Sequence, residues 1–253
     1  MSIVQNRLAE MGLVNGDVLC AVHIDDNILA VIAYTSHLEG LGTRHSDIDV
    51  YALVKSTEDI ECARETALSS VKFVVINGAK LDIEYIAISK IESFADLLSK
   101  ENVNVSAETL KALNRIRIGE QLYPAEATQT YLKKIISQQA IKVATYKFYQ
   151  SSANAELEDA MMLFREKEYV SSLMCARAAV KFAIGALNTQ NDNINLSVKW
   201  VEKIFLMNEG YGYLQEYMDC LVFSSISDEK FEDAVVETVE LAQKILSKAV
   251  LGM

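Results

Sequence analysis

The chain has 253 residues, 51% of them hydrophobic, with ten glycines, one proline and a formal net charge of −11. That length builds one large or two modest domains with a real core, and so little proline and glycine favours long helices over irregular loops. The acidic balance repels nucleic-acid backbones unless charge is strongly segregated, so a polynucleotide substrate is disfavoured against a small molecule or peptide.

In chain order, Ser2 to Met11 has apolar residues at Ile3, Val4, Leu8 and Met11, a helical spacing with Ser2 as N-cap. Val18 to Ile24 reads as a short strand or a turn. Ile28 to Tyr34 is brief, almost wholly apolar and bounded by polar residues, as a buried strand is. A loop with Ser36, Gly40 and Gly42 follows, and β-type alternation resumes at Ile48 and Val50. Ser56 and Thr57 before Glu58 and Asp59 resemble a helix start, continued by Ile60, Ala63, Ala67 and Leu68. Val71 to Ile76 reads as a strand joined through Asn77-Gly78, a strong hairpin signal, to Leu81, Ile83 and Tyr85. Ser89 to Leu98 and Ser106 to Ile116 are helical, and Gly119 and Pro124 punctuate the pattern.

Up to that point strands and helices alternate, and beyond it every block reads as helix. The expected architecture is therefore α+β: a first domain over residues 1–122 with a mixed sheet, then an all-α bundle of five or six helices over 123–253. The helical blocks run Thr128 to Gln150, Ala153 to Lys167, Tyr169 to Asn188, Leu196 to Met207, Tyr211 to Phe223 and Asp228 to Leu251. Cys20, Cys62, Cys175 and Cys220 are far apart and lack Cys-x-x-Cys or histidine pairing, which argues against zinc and disulfides and for reduced, mostly buried thiols. With no basic-then-apolar leader and no run of about 18 apolar residues, a cytoplasmic protein without a membrane span is expected.

The chemistry gathers at Ser46-Asp-Ile-Asp-Val50. Side chains two apart on a strand share a face, so Asp47 and Asp49 project together while Ile48 and Val50 enter the core. Two carboxylates held side by side raise each other's pKa, and a fold that keeps them so places a cation between them, with Mg²⁺ the natural candidate. Asp82 and Glu84 form a second acidic pair at spacing two, on a strand able to lie beside the first.

The stretch Thr35-Ser-His-Leu-Glu-Gly40, then five residues, then Ser46-Asp-Ile-Asp49 resembles the Gly-Ser-x-x-x-Gly…Ser-Asp-x-Asp signature of the DNA polymerase beta-like nucleotidyltransferase superfamily. The family's first glycine, which lets backbone approach nucleotide phosphates without a Cβ, is Thr35 here. The resemblance implies transfer of a nucleoside monophosphate, AMP by expectation, from a Mg²⁺-bound triphosphate (ATP by the same expectation) to a hydroxyl of a small molecule or peptide. Asp47 and Asp49 would bridge two Mg²⁺ ions, and Glu84, preferred to Asp82 by its distance from Ser89, would complete the set. Ser36, with Thr35, Gly40 and Ser46, would shape the triphosphate loop, and His37 and Arg44 are candidates to touch it.

In the helical half, Cys175-Ala-Arg-Ala-Ala-Val180 and Val198-Lys-Trp200 resemble the helical domain that follows the catalytic domain in small-molecule nucleotidyltransferases of the aminoglycoside type. Arg177, Lys181 and above all Lys199 are its candidates to face the triphosphate. Two other readings stand beside this one: a nucleotide-binding regulatory module without turnover, suggested by Thr35, and a toxin–antitoxin-type nucleotidyltransferase acting on protein or RNA. Against a ribonuclease, the three histidines are His23, His37 and His45, none of them in the helical half. No membrane partner is expected, and an oligomer is left open.

Overall fold

The structure, a computed structural model, describes residues 1–100, 105–123, 127–208, 212–221 and 228–250. The fold is α+β, with a mixed six-stranded sheet and, among the described residues, ten α-helices. The chain divides into two compact units, Met1–Ile141 and Lys142–Met253. Pro124 and the residues 222–223 that end a predicted helix lie outside the described residues.

Helix α1 (Ile3–Glu10) starts at a capping box, in which the Ser2 hydroxyl accepts from the Gln5 amide while the Gln5 side chain accepts from the Ser2 amide. The segment read as strand or turn is instead helix α2 (Asn15–Val22). Its start is held by the Val14 amide donating to the Asp17 carboxylate at 2.8 Å, and Val18 and Val22, one turn apart, are its buried residues. That spacing fits a helix as well as a strand when the segment is only eight residues long.

Strand β1 (Ile28–Tyr34) pairs antiparallel with β2 (Asp49–Val54), and β2 pairs in parallel with β5 (Ala79–Ala87). Beyond β5 lie β4 (Ser70–Ile76) and the two-residue β3 (Arg64–Glu65), both antiparallel to their neighbours. The β4–β5 turn has φ of 52° at Asn77 and 83° at Gly78, the pair of positive values that an Asn-Gly hairpin supplies at least cost. The helix expected after Ser56 does not form. Ser56 is tied to Asn27 by two hydrogen bonds, and the Ala63 amide donates to Val71 at 2.8 Å, so the segment ends as a sheet edge. Its four spaced apolar residues are too few to bury a helical face.

One face of the sheet, with Val31, Ala33, Val50, Ala52, Leu81, Ile83 and Tyr85, packs against Val4, Leu8, Val18 and Val22 of α1 and α2. Helices α3 (Ile88–Leu98) and α4 (Ala107–Ile118) follow, and the Thr109 amide caps α4 by donating to the Ser106 hydroxyl at 3.2 Å. Directly after α4, β6 (Glu120–Tyr123) pairs antiparallel with β1, a sixth strand the sequence pattern did not reveal. The turn between them is close-packed. A Cβ on Gly119 would lie 2.6 Å from Ile32 Cγ2 and 2.8 Å from the Arg115 carbonyl oxygen.

Helix α5 (Ala127–Ile135) belongs to the first unit, and α6 (Gln138–Arg165) runs on into the second as one helix where two were expected. There α7 (Tyr169–Gln190) packs on α8 (Val198–Met207) and α10 (Asp228–Val250), and α9 (Leu214–Leu221) packs on α10. Small residues allow the close approach: Ala176, Ala179 and Ala183 are fully buried on α7, and a Cβ on Gly185 would meet the Tyr149 ring of α6 at 2.5 Å. Helix α7 is long and apolar enough to cross a membrane by length and composition, and 56% of that window is buried inside the protein. The four cysteines are free but less buried than expected, with Cys20 exposed and the others half-buried.

Gly119→Ala tests the α4–β6 turn. The added methyl meets backbone as well as a side chain, so urea unfolding should show a loss of about 1–3 kcal/mol.

Candidate functional site

The loop between β1 and β2 is set by hydrogen bonds among its own small residues. The Ser36 hydroxyl donates to the Ser46 hydroxyl at 2.9 Å, and that same Ser46 oxygen accepts from the Thr43 amide at 2.9 Å. Both serines are buried, so these bonds form away from competing water. Arg7 of α1, also buried, donates from Nε to the Ser46 carbonyl at 2.8 Å and so anchors the residue just before Asp47. Gly40 takes φ 71° where the short turn Ser36–Glu39 ends. His37 lies across Gly42, whose Cβ would sit 2.3 Å from the ring, and its Nε2–H donates to the Thr43 carbonyl at 3.0 Å.

Thr35, where the signature that the loop resembles has glycine, has extended backbone that any residue adopts, and the residue is fully buried. Backbone and side chain alike are enclosed, and the Thr35 hydroxyl is buried without a hydrogen-bond partner.

The carboxylates gather through strand register. Across β1, β2, β5 and β4 the Cα partners run Tyr34, Asp49, Asp82, Phe73, and the next row on the same face runs Ile32, Tyr51, Glu84, Val71. Residues directly opposed on neighbouring strands project from one face, so Asp49 and Asp82 stand side by side, with backbones about 5 Å apart. Asp47 precedes β2 and is exposed, whereas Ile48 and Val50 are buried as the alternation predicted. Asp82 is itself exposed, yet partial desolvation, and then the charges of Asp49 and Asp47, push its carboxyl above its ordinary range.

Glu84, preferred from the sequence as the third carboxylate, sits one row further on. It is opposite Tyr51, not Asp49, and its Oε2 accepts from the buried Ser69 hydroxyl at 2.8 Å. Burial raises its pKa, partly offset by that hydrogen bond. The level of each acid is fixed by the parallel β2–β5 register, which no local pattern in the sequence encodes.

Sequence reasoning missed Arg115. From the last turn of α4 its Nη1 reaches Asp49 Oδ1 at 2.9 Å, with the two side chains only 14% and 23% exposed. Its guanidinium lies 4.5 Å above the centre of the Tyr34 ring and contacts the Tyr51 hydroxyl, which accepts from it. Burial opposes its charge, but Tyr51 and Asp49 more than offset that and hold its pKa above the ordinary arginine value. Both phenols are themselves held far toward the neutral form, chiefly by burial, and Tyr34 donates to Glu39. The counter-charge that the paired aspartates call for is thus supplied at Asp49 by the chain itself. No sequence signal marks it, since Arg115 lies off the Leu110, Leu113, Ile116 stripe and 66 residues beyond its partner.

The donors at Asp47 and Asp49 are hard oxygens, and two carboxylates completed by substrate phosphate and water are an ordinary environment for Mg²⁺. Arg115 already takes Oδ1 of Asp49, and among the described residues no three His, Cys, Asp or Glu groups are placed together as metal ligands. Of the remaining candidates, Arg44 is exposed and donates to the His45 ring at 2.9 Å. Lys199 belongs to the second unit, exposed, 5.1 Å from the centre of the Trp200 ring. Lys181 pairs with Glu202 at 3.0 Å.

No family model matches the chain, and no curated protein matches it. Among solved structures it is similar to a nucleotidyltransferase-like protein from Exiguobacterium sibiricum 255-15, at 13% identity and a TM-score of 0.54, over 96% of this chain and 78% of that one. The chain has a nucleotidyltransferase-like fold.

Breaking the shielded Asp49–Arg115 pair leaves a guanidinium without its anion. In EDTA, Asp49→Asn should lose about 1.5–3 kcal/mol in urea unfolding, while Asp47→Asn, exposed on the same motif, should unfold like wild type. Asp82 behaves oppositely. Its native pKa is raised, so the native state binds more protons than the unfolded chain between the ordinary carboxylate value and the raised one, and stability falls as pH climbs through that window. Asp82→Asn should therefore raise the unfolding midpoint at pH 7 in EDTA, with the gain vanishing below the window.

Proposed function

We propose that this chain is a nucleotidyltransferase of the DNA polymerase beta-like superfamily, transferring a nucleoside monophosphate from a Mg²⁺-bound triphosphate to a hydroxyl on a small molecule or peptide. AMP from ATP is the reading we adopt for the nucleotide, and the cytoplasm for its location. The observation that carries the proposal is the row of Asp49 and Asp82 across β2 and β5, with Asp47 leading in from a loop braced by Ser36 and Ser46. Asp49 and Asp82 side by side on one partly solvated face, with Asp47 leading in beside a loop of small residues, would suit a cation-bound anionic substrate.

Asp47 and the remaining oxygen of Asp49 would hold Mg²⁺, which when bound offsets charge on the triphosphate and its leaving pyrophosphate. The Ser36–Ser46–Thr43 bonds keep the loop in one shape, so the phosphates meet a surface that needs no reorganisation. The acceptor oxygen bonds to the α-phosphorus as the α–β phosphoanhydride bond breaks. Asp82, whose affinity for a proton is raised by partial desolvation and acidic neighbours, takes the acceptor's proton. Glu84, bonded to Ser69, supports β5 from the row behind. The acidic surroundings suit an acceptor with positive charge.

Pyrophosphate release across the four ribonucleotides with a pooled acceptor library tests the activity. Asp82→Asn should lower kcat by roughly 10²-fold or more with little change in triphosphate affinity, since it removes the proton acceptor alone. Glu84→Gln should cost far less. A reversed ranking would return the role to Glu84, and no pyrophosphate from any nucleotide would favour the reading as a binding module without turnover.

A further inference from the structure

Arg115 is gripped, not merely adjacent. Its guanidinium meets Asp49 Oδ1 at 2.9 Å, stacks 4.5 Å over Tyr34 and contacts the Tyr51 hydroxyl, and its side chain is 14% exposed. Tyr34 and Tyr51 are themselves fully enclosed. The helix that carries it is pinned to β1 by the turn at Gly119, where even a methyl group has no room. A planar cation held on three sides in this way has few alternative rotamers, and the fork of N–H donors matches the carboxylate it faces.

Asp49 is the residue that would have to be shared between two divalent ions, and a cation already sits on one of its oxygens. Resting on the function proposed above, we infer that Arg115 is a fixed positive charge standing where a two-ion site has its second metal, so that the site takes one divalent cation per bound triphosphate. The single ion is the one that arrives with the triphosphate and is held by Asp47 and the free oxygen of Asp49. The guanidinium contributes its charge permanently and independently of the free Mg²⁺ concentration. Arg115 thus serves as a positioning and charge-balancing residue contributed by α4 to a strand motif 66 residues earlier in the chain.

Mn²⁺, which replaces Mg²⁺ in oxygen-ligand sites and is counted by electron paramagnetic resonance, tests this without turnover. The full-length protein saturated with a non-hydrolysable ATP analogue is titrated with Mn²⁺. Wild type should hold one ion per complex, and Arg115→Gln, which opens Asp49, should hold two. Arg115→Lys keeps a charge there and should still hold one. Two ions in wild type, or one in both wild type and Arg115→Gln, would overturn the inference while leaving the proposed function intact. Should Arg115→Gln fail to fold, the wild-type count decides alone. No protein-bound ion in wild type, or undiminished binding in Asp47→Asn, would instead overturn the proposed function on which the inference rests.

Discussion

The parallel pairing of β2 with β5 is the constraint on which the site depends. Antiparallel neighbours such as β1 and β2 need only a loop, and here that loop carries Ser36, Gly40 and Ser46. Parallel neighbours need a longer excursion, and the chain from Lys55 to Gly78 provides it by crossing to the sheet edge and returning through the Asn77-Gly78 hairpin. The result is that an aspartate from each strand lands in one row. Shifting that register by one residue would send Asp82 to the core face and bring Leu81 or Ile83 to the site, at the cost of burying a carboxylate among Val50, Ala52 and Tyr85. The apolar face thus enforces the polar one.

Crowding three acids has a cost, visible in the raised pKa of Asp82, and the fold offsets part of it from within. Arg115 neutralises Asp49 but not Asp47, which stays exposed, so the site keeps excess negative charge on its open side. A cation-loaded anionic substrate suits that distribution better than a free anion does. The same contacts tie α4 to β1 and β2, so the helix that balances the charge also helps close the site face of the sheet.

Much of this was legible in the sequence. β1, the β4–β5 hairpin and helices α1, α3 and α4 follow from apolar spacing, caps and turn residues, all of which act within a few residues of one another. The Ser/Gly loop and Asp47-Ile-Asp49, also local features, carry the resemblance from which the candidate site is read. What stayed hidden depends on partners far along the chain. The segment after Ser56 has a helix-start signal but is clamped by Asn27 and the sheet edge, and β6 exists because β1 offers it an edge. The level of Asp82 against Asp49, the grip of Arg7 on Ser46 and the reach of Arg115 are likewise tertiary facts. The enclosure of Thr35 is another such fact, since its burial is set by the elements packed around it and not by its place in the motif.

The central claim is that a triphosphate binds here through a divalent cation held by the Asp47-x-Asp49 motif. Calorimetric titration of ATP into the protein in Mg²⁺ and again in EDTA tests it most directly, with Asp47→Asn as the companion sample. The account predicts binding in Mg²⁺ that weakens at least tenfold in EDTA and by a similar factor in Asp47→Asn. Equal affinity in all three would contradict it.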